Sequence, residues 1–106
     1  MKRQTRMSNY NKLTSAETER LALLAEECGE VVQIVGKVLR HGYDNANPKD
    51  PEYITNREKL VTEIGDLLVV LNYIFEAKDI TEEDVEKRIE FKKVEIKKWL
   101  HHQEEE

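Results

Sequence analysis

The sequence predicts an all-α fold: an antiparallel bundle of about four helices that associates with further copies of itself. Two stretches carry apolar residues at helical spacing. At 100° per residue, Leu21, Leu24, Ala25, Cys28, Val31, Val32, Val35, Val38 and Leu39 share one wide face, and Leu60, Ile64, Leu67, Leu71 and Ile74 form a second stripe. Only four glycines and two prolines interrupt the 106 residues, too few for a turn-rich β architecture. A hydrophobic content of 39% is low for a small monomer, and two long apolar stripes exceed what one small bundle hides; a homodimer or homotetramer is expected.

Residues 1–13 are polar and mildly basic, a lead-in with Tyr10 and Leu13 as its only anchors. Thr14 with Glu17 three residues later makes a capping box, opening a helix to about Arg40 that Gly42 ends as its C′ residue. His41 to Thr55 gathers Gly, Pro, Asn and Asp into a loop with one helical turn begun at Pro51. Thr55 and Glu58 repeat the capping box for a helix from about Asn56 to Ala77, and Asp79 and Ile80 connect it to the next. Thr81 with Asp84 caps a last helix to about Leu100, with Val85, Ile89, Ile96, Trp99 and Leu100 on one side. Residues 14–100 are thus expected to form a single domain, followed by a frayed polar tail, 101–106.

A formal net charge of −5 argues against a protein that coats nucleic acid. Cys28 is the single cysteine and falls on the apolar face, so it is expected to pack in the core, with no disulfide framework or thiolate zinc site. Lys2, Arg3 and Arg6 have no apolar run behind them, which predicts neither a signal peptide nor a membrane span; a reducing, cytoplasmic setting is expected.

The chemistry sits at the edges of the two stripes. Glu27 and Glu30, one turn apart, flank the first; Glu63 and Asp66 flank the second. Positions i and i+3 point the same way on a helix, so each pair converges, and the pairs face each other if the helices pack along their stripes. Four clustered carboxylates repel unless a cation neutralises them, and hard oxygen donors suit magnesium or manganese. The competing readings are solvated surface charge and structural salt bridges with lysine or arginine. Glu26 projects to the exposed side, as an outer ligand or a solvated group.

The run EECGE (Glu26 to Glu30) followed by EIGD (Glu63 to Asp66) resembles the EExxE…ExxD signature of the MazG-like all-α nucleoside triphosphate pyrophosphohydrolases, a superfamily that includes phosphoribosyl-ATP pyrophosphohydrolase and the dimeric dUTPases. The similarity covers roughly Leu21 to Phe75, with a long spacing between the motifs because of the Pro-containing loop. It implies that Glu27, Glu30, Glu63 and Asp66 ligate magnesium, and that Asn72 contacts substrate. It also implies a reaction: water attacks the α-phosphorus of a (d)NTP, and (d)NMP and pyrophosphate leave. Glu26 and Glu30 are the candidate proton acceptors.

Phosphates need cations. Lys37, two turns beyond Glu30 on nearly the same face, is the first candidate; Arg40, Arg88, Lys92 and Lys93 follow. Tyr43, Tyr73 and Trp99 are able to stack on a base, though the spacing of Trp99 with Ile96 and Ile89 favours core or interface. His41 suits a helix C-terminus, and no role is assigned to His101 or His102. Narrower alternatives are a phosphoribosyl-ATP, dUTP or dCTP enzyme of the same superfamily. The alternative outside it is a non-catalytic helical module whose acidic edge pairs with a partner's basic residues.

Overall fold

A computed structural model of the chain describes residues 10–105. Most of the expected lead-in, and the final residue of the expected tail, lie outside the described residues. Among the described residues there are three α-helices, against about four expected for the whole chain: α1 (Ser15–His41), α2 (Asn56–Glu76) and α3 (Glu82–Glu95). Two 3-10 helices follow, Ile96–Trp99 and Gln103–Glu105. The only β feature among the described residues is an isolated bridge between Ala46 and Thr55.

The helix ends follow the capping chemistry. The Glu17 N–H donates to Thr14 Oγ1 at 3.0 Å and the Thr14 N–H to Glu17 Oε1 at 2.8 Å, so two otherwise orphaned donors are satisfied reciprocally. Gly42 ends α1 at φ 88°, a left-handed conformation costly for any residue with a Cβ, and its N–H reaches Val38 O at 2.7 Å. Thr55 and Glu58 make the second box, at 2.9 and 3.2 Å. The Thr55 backbone and then its hydroxyl hold the Glu58 carboxyl below its ordinary 4.5. A lowered folded-state pKa contributes stability above pH 4.5 that is lost as pH falls through the folded value. The Asp84 N–H donates to Thr81 Oγ1 at 3.2 Å at the start of α3.

The helical turn expected at Pro51 is a series of hydrogen-bonded turns instead. Asn47 Oδ1 accepts from the Lys49 N–H at 3.0 Å and Asp50 Oδ1 from the Glu52 N–H at 2.9 Å. These side chains capture the backbone donors that a helix would have used. Tyr53 then adopts φ 54°. α3 stops being α-helical at Glu95 rather than Leu100, tightening into the 3-10 helix at Ile96. The tail is ordered further than expected: Gln103–Glu105 forms a 3-10 turn, and His102 pairs with Glu105 at 2.6 Å.

The described chain divides into two compact units, the first ending at Ile74 and the second beginning at Phe75. In the first, α1 and α2 run antiparallel: Glu27 meets Glu63 and Asp66 at one level, and Gly42 meets Asn56 at the other. Their buried apolar residues are few, Ile34, Val70 and Ile74 among those described. The stripe α1 turns inward is Glu17, Arg20, Leu24, Glu27, Val31, Ile34 and Val38, all buried or half-buried. This differs from the expected face, because α1 carries two apolar stripes. On the outer one, Val32 is 71% and Leu39 81% exposed, and Leu21, Val35 and Cys28 are exposed with them. Cys28 is therefore not packed in the core. α2 behaves alike, with Leu60, Leu67, Leu71 and Ile74 inward as expected but Ile64 outward, alongside Val61 and Leu68. Tyr10 is fully exposed and anchors nothing, whereas Leu13 is half-buried.

The second unit is held by local pairs. Lys93 bridges to Glu90 at 3.0 Å, Lys98 to Glu95 at 2.9 Å, and the Arg88 guanidinium covers the Phe91 ring at 4.6 Å. Trp99 is 73% exposed in the single chain.

Candidate metal centre and adjoining basic cavity

α1 and α2 bring three of the four flanking carboxylates together. Ligand oxygens of Glu27, Glu63 and Asp66 all lie within 4.8 Å of one another, with Glu27 and Glu63 half-buried and Asp66 exposed. An octahedral ion with bonds of about 2.1 Å sets its ligand oxygens about 3 Å apart when adjacent and about 4 Å when opposite. The three carboxylates therefore need only small side-chain adjustments to share one ion, and their hard oxygens fit magnesium or manganese.

The electrostatics agree. The Glu27 carboxyl is pushed above its ordinary 4.5 first by burial, then by the charges of Asp66, Glu26, Glu63 and Glu30. Among the described residues no lysine or arginine forms an ion pair with Glu27, Glu30, Glu63 or Asp66. The structural salt-bridge reading thus loses its partners. Glu30 is half-buried one turn beyond Glu27 and lies outside the three-residue group, although its charge is felt there. Glu26 is exposed and likewise adds to the field at Glu27.

The other candidates separate. Lys37 is half-buried and Arg40 exposed, and both line one cavity of about 560 Å³ at the loop end of the α1–α2 groove. Asn72 is exposed on α2, and Lys92 is exposed on α3 in the second unit. Arg88 and Lys93 are engaged locally, as described above. Tyr43 lies beneath the Arg57 guanidinium, 4.4 Å from its ring centre. Tyr73 is exposed.

The cavity exists because the segment between the helices is tied down. The Arg57 N–H donates to Tyr43 O at 2.8 Å and the Asn56 N–H to Asn45 O at 2.9 Å. Asn45 Nδ2 donates to His41 O, and Arg57 Nε bridges to Asp44 at 3.2 Å. Asn56 is the one buried polar residue among those described, and its Nδ2 donates to Gly42 O at 3.1 Å, fastening the start of α2 to the end of α1. Asn56→Ala is expected to cost about 0.5–1.5 kcal/mol by removing that hydrogen bond between the helix ends, measured as a lowered midpoint in urea. A midpoint unchanged within error would mean that the loop is held elsewhere.

Sequence reasoning missed Asn56 and Lys59, which line the same cavity as Lys37 and Arg40. Lys59 stands one turn before Glu63 on the inward face of α2, a placement legible in the spacing once the true inward face is known.

The profile of one family, the MazG nucleotide pyrophosphohydrolase domain, matches residues 15–101. Comparison with curated proteins gave no match, and neither did comparison with solved structures.

Proposed function

Because the chain belongs to the MazG nucleotide pyrophosphohydrolase family, we propose that it is a divalent-metal-dependent enzyme that cleaves nucleoside triphosphates to nucleoside monophosphate and pyrophosphate. The observation that carries this reading is the convergence of Glu27, Glu63 and Asp66 from two helices, with no lysine or arginine in an ion pair with them among the described residues. In the proposed site these three carboxylates, with Glu30 as the fourth, hold magnesium or manganese. The ion supplies charge neutralisation on the phosphates and a lowered pKa for water.

The chain's own groups do the rest. Glu30 or Glu26 accepts the proton of the attacking water as its oxygen bonds to the α-phosphorus. The bond from the α-phosphorus to the α,β-bridging oxygen breaks, and pyrophosphate carries away the electron pair. Lys37 and Arg40 hold phosphate oxygens, and Asn72 is a further substrate contact. The direct test is pyrophosphate release from a panel of ribo- and deoxynucleoside triphosphates, with phosphoribosyl-ATP included, in the presence and absence of magnesium or manganese. Metal-dependent release from at least one supports the reading, and none from any would sink it. A panel maximum at dUTP, dCTP or phosphoribosyl-ATP would assign the narrower subgroup.

Self-association belongs to the same proposal. The outer stripes, Leu21, Val32, Val35 and Leu39 on α1 and Val61, Ile64 and Leu68 on α2, present apolar surface of the kind that homodimers and homotetramers bury. Sedimentation at micromolar concentration is expected to give a dimer or tetramer, and Val32→Asp with Leu39→Asp to shift it toward monomer. A wild-type monomer would refute the assembly. Among the described residues no helix is long and apolar enough to cross a membrane, and we place the enzyme in the cytoplasm.

A further inference from the structure

We infer that the cavity at the loop end of the α1–α2 groove is a polyphosphate subsite: it takes the β- and γ-phosphates of the substrate and the pyrophosphate that leaves, and not the nucleoside. The inference rests on the hydrolase reading for its orientation, but not for the chemistry of the cavity itself.

Three observations carry it. First, the charge of the cavity opposes that of the protein. The chain holds 22 acidic against 17 basic residues, yet no Asp or Glu lines this space, whereas Lys37, Arg40, His41 and Lys59 all do. Among the described residues none of Lys37, Arg40 and Lys59 is in an ion pair, so three permanent positive charges face one concavity unneutralised. Lys37 and Lys59 are half-buried, and positive charges held together at that depth gain most from an anion.

Second, the remaining lining suits phosphate better than a base. Asn56 is buried beside the lysines, and the only aromatic rings in the lining are those of Tyr53 and His41, the second an imidazole whose N–H is itself a donor to phosphate. Arg40 is folded back along its own helix, its Nη1 3.5 Å from where a Cβ on Gly36 would stand.

Third, the cavity lies along the same α1–α2 groove as the carboxylates, nearer the loop. Glu27 and Lys37 both lie on buried or half-buried positions of α1, as Lys59 and Glu63 do on α2. Lys59 precedes Glu63 by one turn, a rise of about 6 Å, which two further phosphate groups cover. With the α-phosphorus at the carboxylates, the β- and γ-phosphates run toward Lys59, Lys37 and Arg40. The nucleoside then leaves the carboxylates in the opposite direction.

The test is calorimetric titration of the full chain, in buffer stripped of divalent ions, with inorganic pyrophosphate, tripolyphosphate, a nucleoside monophosphate and a nucleoside. Tripolyphosphate and pyrophosphate are expected to bind and the nucleoside not to. Lys37→Ala and Lys59→Ala are each expected to weaken tripolyphosphate binding about tenfold, the ordinary worth of one charge-assisted hydrogen bond. Lys37→Arg and Lys59→Arg, with unchanged helical circular dichroism, are expected to keep most of it, which separates lost charge from lost fold. Glu63→Gln, which removes a metal-site carboxylate, is expected to retain the binding. Absence of tripolyphosphate binding to wild type, or alanine variants that bind it undiminished, would overturn the inference, as would a nucleoside that binds and is lost in those variants. None of these readouts needs turnover or metal: a protein that binds tripolyphosphate through Lys37 and Lys59 but hydrolyses no triphosphate would lose the enzyme assignment and keep the subsite.

Discussion

Glu63→Gln is expected to reduce metal-dependent pyrophosphate release by at least two to three orders of magnitude, on the order of what removing one preorganised charge-stabilising group costs an active site. Glutamine keeps the shape and length of the side chain while removing the negative charge that a divalent ion needs. The loss should therefore be electrostatic and leave the helical circular dichroism of the chain intact. Metal linkage gives an independent readout. A ligand that binds only the folded chain adds about 2.7 kcal/mol at a hundredfold excess over its Kd, which for a domain of this size is a rise in Tm on the order of 10 °C. Wild type should show that rise with magnesium or manganese, and Glu63→Gln should show little of it. A variant that keeps both activity and the metal-induced rise would remove Glu63 from the site.

The parts of this protein that follow from local rules were legible in its sequence. Thr14–Glu17, Thr55–Glu58 and Thr81–Asp84 announced three helix starts because a cap is a contact over three residues. The i,i+3 carboxylates on two helices led to the expectation that all four would meet; Glu27, Glu63 and Asp66 lie together, while Glu30 stands outside that group. What was less legible depends on which side of a helix finds a partner. α1 is apolar over two stripes, and periodicity alone does not say whether Val32 and Leu39 or Val31 and Ile34 turn inward. The same ambiguity hid Lys59, whose importance comes from its place on the inward face of α2. Asn56 was hidden for a different reason: its partner, Gly42 O, is fourteen residues away, across a loop whose Asx turns replace the helical turn that Pro51 suggested.

Glu27→Gln is expected to raise the Tm of the metal-free protein while lowering the Tm of the metal-loaded one, an inversion that a merely structural carboxylate would not produce. The sign follows from the site. Burial and the charges of Asp66, Glu26, Glu63 and Glu30 raise the Glu27 pKa in the folded chain above the 4.5 it has when unperturbed. A raised folded-state value means that protonation favours the fold: the stabilisation is fully present below 4.5 and is lost as pH rises through the raised value. At neutral pH wild type therefore carries an ionised Glu27 at a cost that the neutral amide does not bear. In metal-free buffer the advantage of the variant should be largest above that raised value and should close as the solution is acidified through it. Adding magnesium reverses the ranking, because the repulsion that penalises Glu27 in the empty cluster is the attraction that holds the cation. The variant should bind the ion at least 10- to 100-fold more weakly, the range found even for residues that only support a metal's ligands. Melting curves of both proteins with and without magnesium, at neutral pH and near pH 5, decide the matter. Should the substitution lower Tm in all four conditions, Glu27 is a packing residue and the metal centre must be sought elsewhere on the groove.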